Sequence, residues 1–305
     1  MDPFLDAGVS LQPLEGGWSG ETFLAEAGGE RTVVRVYADP RHPAEAAETT
    51  AALLRLVRGL LPVPAVREVR RADAASGTPA LLVTELLPGV RGDLLLPTLD
   101  AAALRTAGAA VGRVAAALAG MPTVRAGTFA GGDLAIDPFD LDLSEWVERH
   151  HPALADRGWS AADVDRLLGV CGDAHALLDT VDRTCLVHSD LNPKNLLLDP
   201  TSLQVTGVVD WEFAHSGSPF TDLGNVLRFD RDPAYVDAVL EAWAERRSAD
   251  ASGPPPAADL LQLARAADLP ALVELASREG ANPVADRAAA LLREVARTGD
   301  LSAVA

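Results

Sequence analysis

The sequence predicts an α+β protein in which a small strand-rich part precedes a larger, mainly helical part. Two observations predict this: β-branched and apolar runs of strand length fall within residues 1–84, and apolar residues recur at helical spacing through most of residues 93–305. The chain has 305 residues, 48% of them hydrophobic, which is enough for a sizeable core. We therefore expect an N-terminal lobe over 1–84, a connection over 85–92 and a helical C-terminal lobe over 93–305.

The N-terminal lobe should contain a sheet and one helix. Residues 31–37 (RTVVRVY) are β-branched and alternating, and residues 80–84 (ALLVT) form a short apolar run, so both predict strands. The helix between them should start after Pro43 and stop before Pro62. Its buried face should consist of Leu53, Leu54, Val57 and either Leu60 or Leu61.

The C-terminal lobe should begin after the Pro-Gly pair within residues 85–92, which marks a boundary in the chain. One helix is predicted after Asp100 and another after Ser160, where Asp163 completes a pair resembling a capping box. A further helix should follow Asp232, and more helices should follow over residues 257–298.

Charge and composition exclude several function classes. The formal net charge of −18 argues against a nucleic-acid partner, because such binding depends on basic patches, whereas a cationic small molecule is compatible with it. The longest apolar runs are far shorter than the roughly 20 residues that cross a bilayer, and no secretory signal is readable, so we expect a cytoplasmic protein without a membrane partner. Cys171 and Cys185 lack metal-ligand spacing and should pack in the core.

The most informative segment runs from residue 185 to residue 225. Two apolar runs, 196–198 and 205–209, are separated by Asp-Pro-Thr-Ser, which is typical of a turn and predicts a β-hairpin. Asn195 precedes the first strand and Asp210 follows the second. The two ends of an antiparallel hairpin meet, so the side chains of Asn195 and Asp210 should lie side by side, with Asp190 on the entering loop.

These residue types suit phosphoryl transfer. Carboxylate and amide oxygens are the hard ligands that Mg²⁺ prefers, usually together with phosphate oxygens and water. The reaction needs bridging metal ions, an in-line geometry and an aspartate that accepts the proton of the attacking hydroxyl. Asp190, Asn195 and Asp210 match those needs in type and in order.

The segment resembles the protein-kinase catalytic set, in which H-R-D-L-x-x-x-N is followed by D-F-G. Residues 188–195 read HSDLNPKN and residues 210–212 read DWE, a form similar to the aminoglycoside phosphotransferase family. The resemblance implies a bilobal protein-kinase-like fold that uses ATP. It further implies Asp190 as the catalytic base, His188 as a brace for the loop, and Asn195 and Asp210 as the Mg²⁺ ligands.

Two further charged residues lie in the segment 185–225. Asp222 matches the later aspartate of that family, which bonds the catalytic loop, but a plain helix cap fits it equally well. Lys194, the sole lysine of the chain, is interpreted as a surface charge.

The nucleotide should bind in the N-terminal lobe. Gly17, Ser19 and Gly20 belong to a glycine-rich stretch that can cradle phosphates, although its spacing departs from G-x-G-x-x-G. By the resemblance, Arg35 stands where the family has a phosphate-binding lysine. Glu48 is its expected helix partner, with Glu45 as the alternative. Glu85 and Leu87 would form the hinge beside adenine.

The acceptor should be a small polar molecule. An acidic stretch could bind a cationic acceptor, although a solvated loop leading into a helix capped by Asp142 explains it as well. Its members are Asp133, Asp137, Asp140, Asp142, Glu145 and Glu148. An antibiotic, an amino sugar or an amino alcohol all remain open as acceptors. A nucleotide-binding regulatory pseudokinase is the alternative from another class, motivated by the atypical glycine stretch and by Arg35.

Overall fold

The computed structural model describes residues 10–14, 22–73, 75–248, 253, 255–278, 280 and 282–304. The chain divides into two compact units. The first comprises Met1–Pro97, Thr128–Asp137 and Pro193–Phe213. The second comprises Thr98–Gly127, Pro138–Asn192 and Ala214–Ala305. These units differ from the contiguous lobes 1–84 and 93–305 that we expected, because two later segments join the first unit.

The first unit contains a five-stranded antiparallel sheet. Its strands are β1 (Ser10–Pro13), β2 (Thr22–Ala27), β3 (Glu30–Tyr37), β4 (Val66–Arg70) and β5 (Ala80–Glu85), in the order β1-β2-β3-β5-β4. Helix α1 (Ala46–Val57) lies between β3 and β4 in sequence. It buries Leu53, Leu54 and Val57 as predicted, but it ends at Val57 and not just before Pro62. Of the two leucines that follow it, Leu61 is 6% exposed and Leu60 is 62% exposed.

A second, three-stranded sheet explains why the predicted hairpin belongs to the first unit. Strand β6 (Val90–Arg91) follows the first sheet, and helix α2 (Gly92–Leu95) and a 3-10 turn (Leu96–Thr98) come next. Much later in the chain, β11 (Leu196–Leu198) pairs with both β6 and β12 (Val205–Val208), giving the order β12-β11-β6. Strands β8 (Gly127–Ala130) and β9 (Ala135–Pro138) lie between β6 and β11 in sequence.

The second unit is mainly helical, as predicted. Its helices are α3 (Ala101–Ala119), α4 (Leu143–Asp156), α5 (Ala161–Leu178), α6 (Thr221–Leu227), α7 (Pro233–Arg247), α8 (Ala257–Ser277) and α9 (Pro283–Thr298). Strand β10 (Thr184–Val187) pairs antiparallel with β7 (Pro122–Thr123) and with β13 (His215–Gly217). The predicted helix starts are confirmed, since Asp100 and Asp232 cap α3 and α7, and Ser160 and Asp163 form a capping box on α5.

Helix α3 is long and apolar enough to cross a membrane by length and composition, although the unbroken apolar runs of the sequence are too short to indicate a span. It packs tightly on α7 instead. A methyl group added at Gly112 would lie 2.4 Å from the carbonyl oxygen of Val239, so only glycine permits this approach. Eleven residues of α3 are buried, as expected for the core helix of a folded unit.

Candidate active site

The loop after β10 carries His188, Ser189 and Asp190, and a single carboxylate fixes its backbone. His188 N donates to Asp222 Oδ2 and Ser189 N donates to Asp222 Oδ1, both at 2.9 Å. Asp222 is buried, whereas α6 has no side-chain cap at its N-terminus. Of the two interpretations left open, the contacts therefore fit loop bonding and not a plain helix cap.

The electrostatics of Asp222 follow from its position. Burial raises the pKa of the Asp222 carboxyl, because a charge loses hydration inside the protein. His188 and the two amide donors oppose that shift, since they favour the charged form. Ser189 lies between His188 and Asp190 and has φ of 69°. This left-handed conformation costs free energy, and it persists only where the surrounding structure holds it. Such strain is often found at functional sites.

Asp190 follows this strained residue and is partly buried. Its backbone N donates to His188 Nδ1 at 3.3 Å, and its Oδ1 accepts from Asn192 Nδ2 at 2.5 Å. The imidazole of His188 is completely buried, so it contacts the loop from the interior of the second unit. Both the main chain and the carboxylate of Asp190 are therefore held by neighbours within four residues.

The hairpin brings the two predicted metal ligands to the same end, as expected. Leu196 pairs with Val208, and Val209 N donates to the carbonyl oxygen of Asn195 at 3.0 Å. Asn195 ends a 3-10 turn (Pro193–Asn195) and is buried. Asp210 has φ of 66°, so like Ser189 it is a residue other than glycine in the left-handed conformation. Strain again coincides with a candidate functional residue.

Arg35 of β3 contacts the carboxylates that follow the hairpin. Its Nη1 donates to Asp210 Oδ1, and its Nη2 donates to Glu212 Oε2 at 2.7 Å. Only 14% of the Arg35 side chain is exposed, so it is not a surface strand residue. Burial by itself would lower the pKa of Arg35, but Asp210 and Glu212 more than offset this and raise it overall. Its Nε is buried without a hydrogen-bond partner among the described residues.

The expected pair between Arg35 and Glu48 is not the one that the structure shows. Glu48 Oε1 accepts from Arg71 Nε, and Arg35 takes Asp210 and Glu212 instead. The reason is that α1 presents Glu48 toward the end of β4, where Arg71 follows. Glu45, the other candidate, precedes α1 at its N-cap position.

The other predicted nucleotide residues are only partly described. Gly17, Ser19 and Gly20 lie outside the described residues. At the end of β5, Glu85 N donates to Ala65 O at 2.9 Å, and Glu85 Oε2 accepts from Ala65 N at 3.3 Å. Leu87 lies beside Gly207 of β12, so the segment after β5 contacts the hairpin.

The acidic stretch is mostly exposed, and one of its members has a structural role. Asp142 Oδ1 accepts from Ser144 N at 2.8 Å and from Glu145 N at 2.9 Å, capping α4 as predicted. Within the described residues, no group of three or more His, Cys, Asp or Glu side chains is arranged to hold a metal ion.

Sequence reasoning missed four residues around these groups. Glu212 was noted only as part of the DWE motif and was given no role, although it contacts Arg35. Asn225, Arg228 and Asp268 form a buried group behind the loop that carries Asp190. The sequence could have indicated Asn225, since it follows Asp222 by three residues and so lies on the same face of a helix. No sequence pattern could have indicated Asp268, because it is 40 residues from its partner Arg228 in sequence.

Comparison with known proteins gives consistent matches. A model of the phosphotransferase enzyme family matches residues 10–260. Aminoglycoside 3'-phosphotransferase of Streptomyces fradiae is 31% identical over 200 residues, which cover 62% of this chain and 67% of that relative. The protein of the same name from Streptomyces ribosidificus is 30% identical over 208 residues, covering 64% and 70%.

Solved structures show the fold. A microcompartment-associated aminopropanol kinase matches with a TM-score of 0.68 at 23% identity, covering 96% of this chain and 94% of that chain. A thermostable mutant of aminoglycoside phosphotransferase APH(4)-Ia, in ternary complex with ADP and hygromycin B, matches with a TM-score of 0.67 at 19% identity, covering 97% of both. The expected α+β, protein-kinase-like fold class is thereby confirmed.

Proposed function

Since this chain belongs to the aminoglycoside phosphotransferase family and is a phosphotransferase, we propose that it moves the γ-phosphoryl group of ATP to a hydroxyl of a small polar molecule. The observation that carries the proposal is the order of Asp190, Asn195 and Asp210 on one strand–loop–hairpin segment. The hairpin register supports it, because Asn195 and Asp210 flank the paired residues Leu196 and Val208.

Asp190 is the proposed catalytic base. The acceptor oxygen forms a bond to the γ-phosphorus while the bond from that phosphorus to the bridging oxygen breaks, and ADP leaves with the electron pair. The hydroxyl proton passes to the Asp190 carboxylate. Asn192 and Asp222 support this role, because the first holds Asp190 Oδ1 and the second holds the preceding backbone.

Asn195 and Asp210 are the proposed Mg²⁺ ligands. Their amide and carboxylate oxygens fit the chemistry of this ion, which when bound would neutralise the charge of the transferring phosphates. Asp210 reaches this position in a strained left-handed conformation, and Arg35 holds its carboxylate. We propose that the same arginine contacts nucleotide phosphate, because by the resemblance it stands where the family has a phosphate-binding lysine.

The acceptor is proposed to be a cationic alcohol. A net charge of −18 and the exposed acidic residues of the 133–148 stretch favour a positively charged molecule. The relatives named as aminoglycoside 3'-phosphotransferases support an aminoglycoside antibiotic. The structural match to an aminopropanol kinase supports a second candidate, an amino alcohol or amino sugar. ATP is the proposed phosphoryl donor, so we place the reaction in the cytoplasm.

A panel of acceptors separates these candidates. Purified protein is incubated with Mg-ATP and with aminoglycosides, amino sugars, amino alcohols, peptide antibiotics or nucleoside antibiotics in turn. ADP release is measured by a coupled assay, and the phosphoester by ³¹P NMR. We expect at least one hydroxyl-bearing amine to give equal amounts of both products, with loss of turnover on chelation of Mg²⁺. Mg-ATP binding without turnover on any acceptor would contradict the proposal and favour a regulatory protein.

A further inference from the structure

A buried polar group lies behind the loop that carries Asp190, within the second unit. Asn225 of α6 is only 2% exposed, and both ends of its amide have partners. Its Oδ1 accepts from the backbone N of Leu191 at 3.2 Å, and its Nδ2 donates to Asp268 Oδ1 at 2.8 Å. Leu191 directly follows Asp190, so this amide holds the main chain on the far side of the catalytic residue from Asp222.

Asp268 of α8 is paired in turn with Arg228. Arg228 Nε donates to Asp268 Oδ2 at 2.8 Å, and Nη2 donates to Asp268 Oδ1 at 2.6 Å, a bidentate arrangement with defined geometry. Both side chains are 6% exposed. Burial alone would lower the pKa of Arg228, yet Asp268 raises it overall, and Asp190 contributes to that rise. Arg228 therefore also interacts electrostatically with Asp190.

The close approach of α6 to α8 permits these contacts. A methyl group added at Gly224 would lie 2.1 Å from the carbonyl oxygen of Ala264 and 2.8 Å from Asp268 Cβ. No side chain fits there, so glycine at this position lets Asn225 reach Asp268. Two side chains of one helix, Asp222 and Asn225, then present three acceptor oxygens to the amides of His188, Ser189 and Leu191.

We propose that Asn225, Asp268 and Arg228 are positioning residues that fix the main chain after Asp190 and so set the orientation of its carboxylate. The inference rests on the proposed role of Asp190 as catalytic base. None of the three needs to touch a substrate. Their loss should therefore lower kcat and leave KM for ATP and for the acceptor nearly unchanged, because misplacement of a reacting group by about 1 Å can cost about 10²-fold in rate.

Asn225→Ala and Asp268→Asn test the proposal. We expect Asn225→Ala to lower kcat by about 10- to 100-fold with either KM changed less than about threefold. Asp268→Asn keeps an acceptor oxygen for Asn225 but loses the charge facing Arg228, so its kcat should fall between those of Asn225→Ala and the wild type. The double variant should be no slower than Asn225→Ala alone, because both changes break one chain of contacts.

Val273→Ala is the matched control. Val273 lies on α8 like Asp268 and is buried in the helical core away from the polar group, so its truncation should lower Tm without changing kcat. A kcat of Asn225→Ala equal to that of Val273→Ala at a similar Tm would overturn the proposal, as would fully additive effects in the double variant.

Hydrogen exchange gives a readout that does not depend on turnover. The backbone amide of Leu191 should exchange faster in Asn225→Ala than in the wild type, and at the wild-type rate in Val273→Ala. Unchanged protection of that amide would overturn the positioning role even if no acceptor were turned over. Absence of wild-type turnover together with faster exchange in Asn225→Ala would instead refute the proposed function and leave the anchoring role standing.

Discussion

The guanidinium of Arg35 meets the carboxylate of Glu212 at 2.7 Å, across 177 residues of sequence. Each side chain is 14% exposed, so water screens the pair only partly. Arg35 uses its other terminal nitrogen for Asp210, and it therefore bridges the two acids of the DWE motif. An arginine suits this position because its planar fork reaches two acceptors at once.

Glu212→Gln should weaken nucleotide binding. The change removes a charge but keeps the shape and one acceptor oxygen, so the ion pair with Arg35 becomes a weaker hydrogen bond and Arg35 is held less firmly before ATP binds. We expect KM for ATP to rise by about tenfold, which corresponds to about 1.4 kcal/mol, with a smaller change in kcat. Steady-state kinetics with varied ATP checks this.

Glu68→Gln is the control for that substitution. Glu68 pairs with Arg70 on the same unit, but both side chains are more than 40% exposed, and exposed pairs contribute little. Its KM for ATP should equal that of the wild type. Equal values for Glu212→Gln and Glu68→Gln would show that the bridge does not matter for the nucleotide.

Asp222→Asn should disturb the catalytic loop. The carboxylate uses one oxygen for His188 N and the other for Ser189 N, but an amide has only one acceptor oxygen. One buried N–H would then face an NH₂ group, which costs about 1–3 kcal/mol in the free energy of unfolding. We expect this loss in chemical denaturation together with a fall in kcat.

Asp199→Asn offers a comparison in the hairpin turn. Asp199 also accepts from two amides, those of Thr201 and Ser202, but both bonds end on Oδ1. An asparagine can keep that oxygen in place, so stability and kcat should change little. Equal changes in the free energy of unfolding and in kcat for Asp222→Asn and Asp199→Asn would contradict the claim that both Asp222 oxygens are needed.

The two cysteines predict a stability loss at high pH. Burial raises the pKa of Cys171 and of Cys185 to about 12, whereas an unfolded thiol titrates near about 8.5. Between these values the folded chain binds more protons than the unfolded chain, so stability should fall as pH rises from about 9 to about 12. The slope should reach about 1.4 kcal/mol per pH unit for each thiol.

Denaturation of the wild type and of a Cys171→Ala/Cys185→Ala variant at several pH values checks this. The variant should lack that part of the slope, because other titrating groups are common to both proteins. Parallel curves for the two proteins would contradict the burial argument. The wild-type thiols should also resist alkylation at neutral pH until the chain unfolds.

Local patterns were sufficient to predict much of the candidate site. The hairpin at 196–209 followed from two apolar runs and a turn, so Asn195 and Asp210 could be placed together from sequence alone. Helix caps such as Asp142 and Ser160 were also predictable, since capping involves residues within one turn.

Contacts between distant segments could not be predicted in the same way. Arg35 has several carboxylates within reach of a long side chain, and only the packed structure shows that Glu48 is taken by Arg71. Helix periodicity placed Asp268 on α8 without indicating which neighbour it faces. The division into units depends on a contact of the same kind, because β11 pairs with β6, more than 100 residues earlier.

Replacement of Asp190 by asparagine tests the central claim most directly. The change keeps the size of the side chain and an acceptor oxygen for Asn192, but it removes the group that takes the proton. With Mg-ATP and an acceptor that the wild type phosphorylates, kcat should fall by about 10²- to 10⁴-fold. Asp182→Asn, the same change at an exposed loop position, should leave kcat unchanged. An Asp190→Asn protein that turns over its acceptor at the wild-type rate would contradict the account.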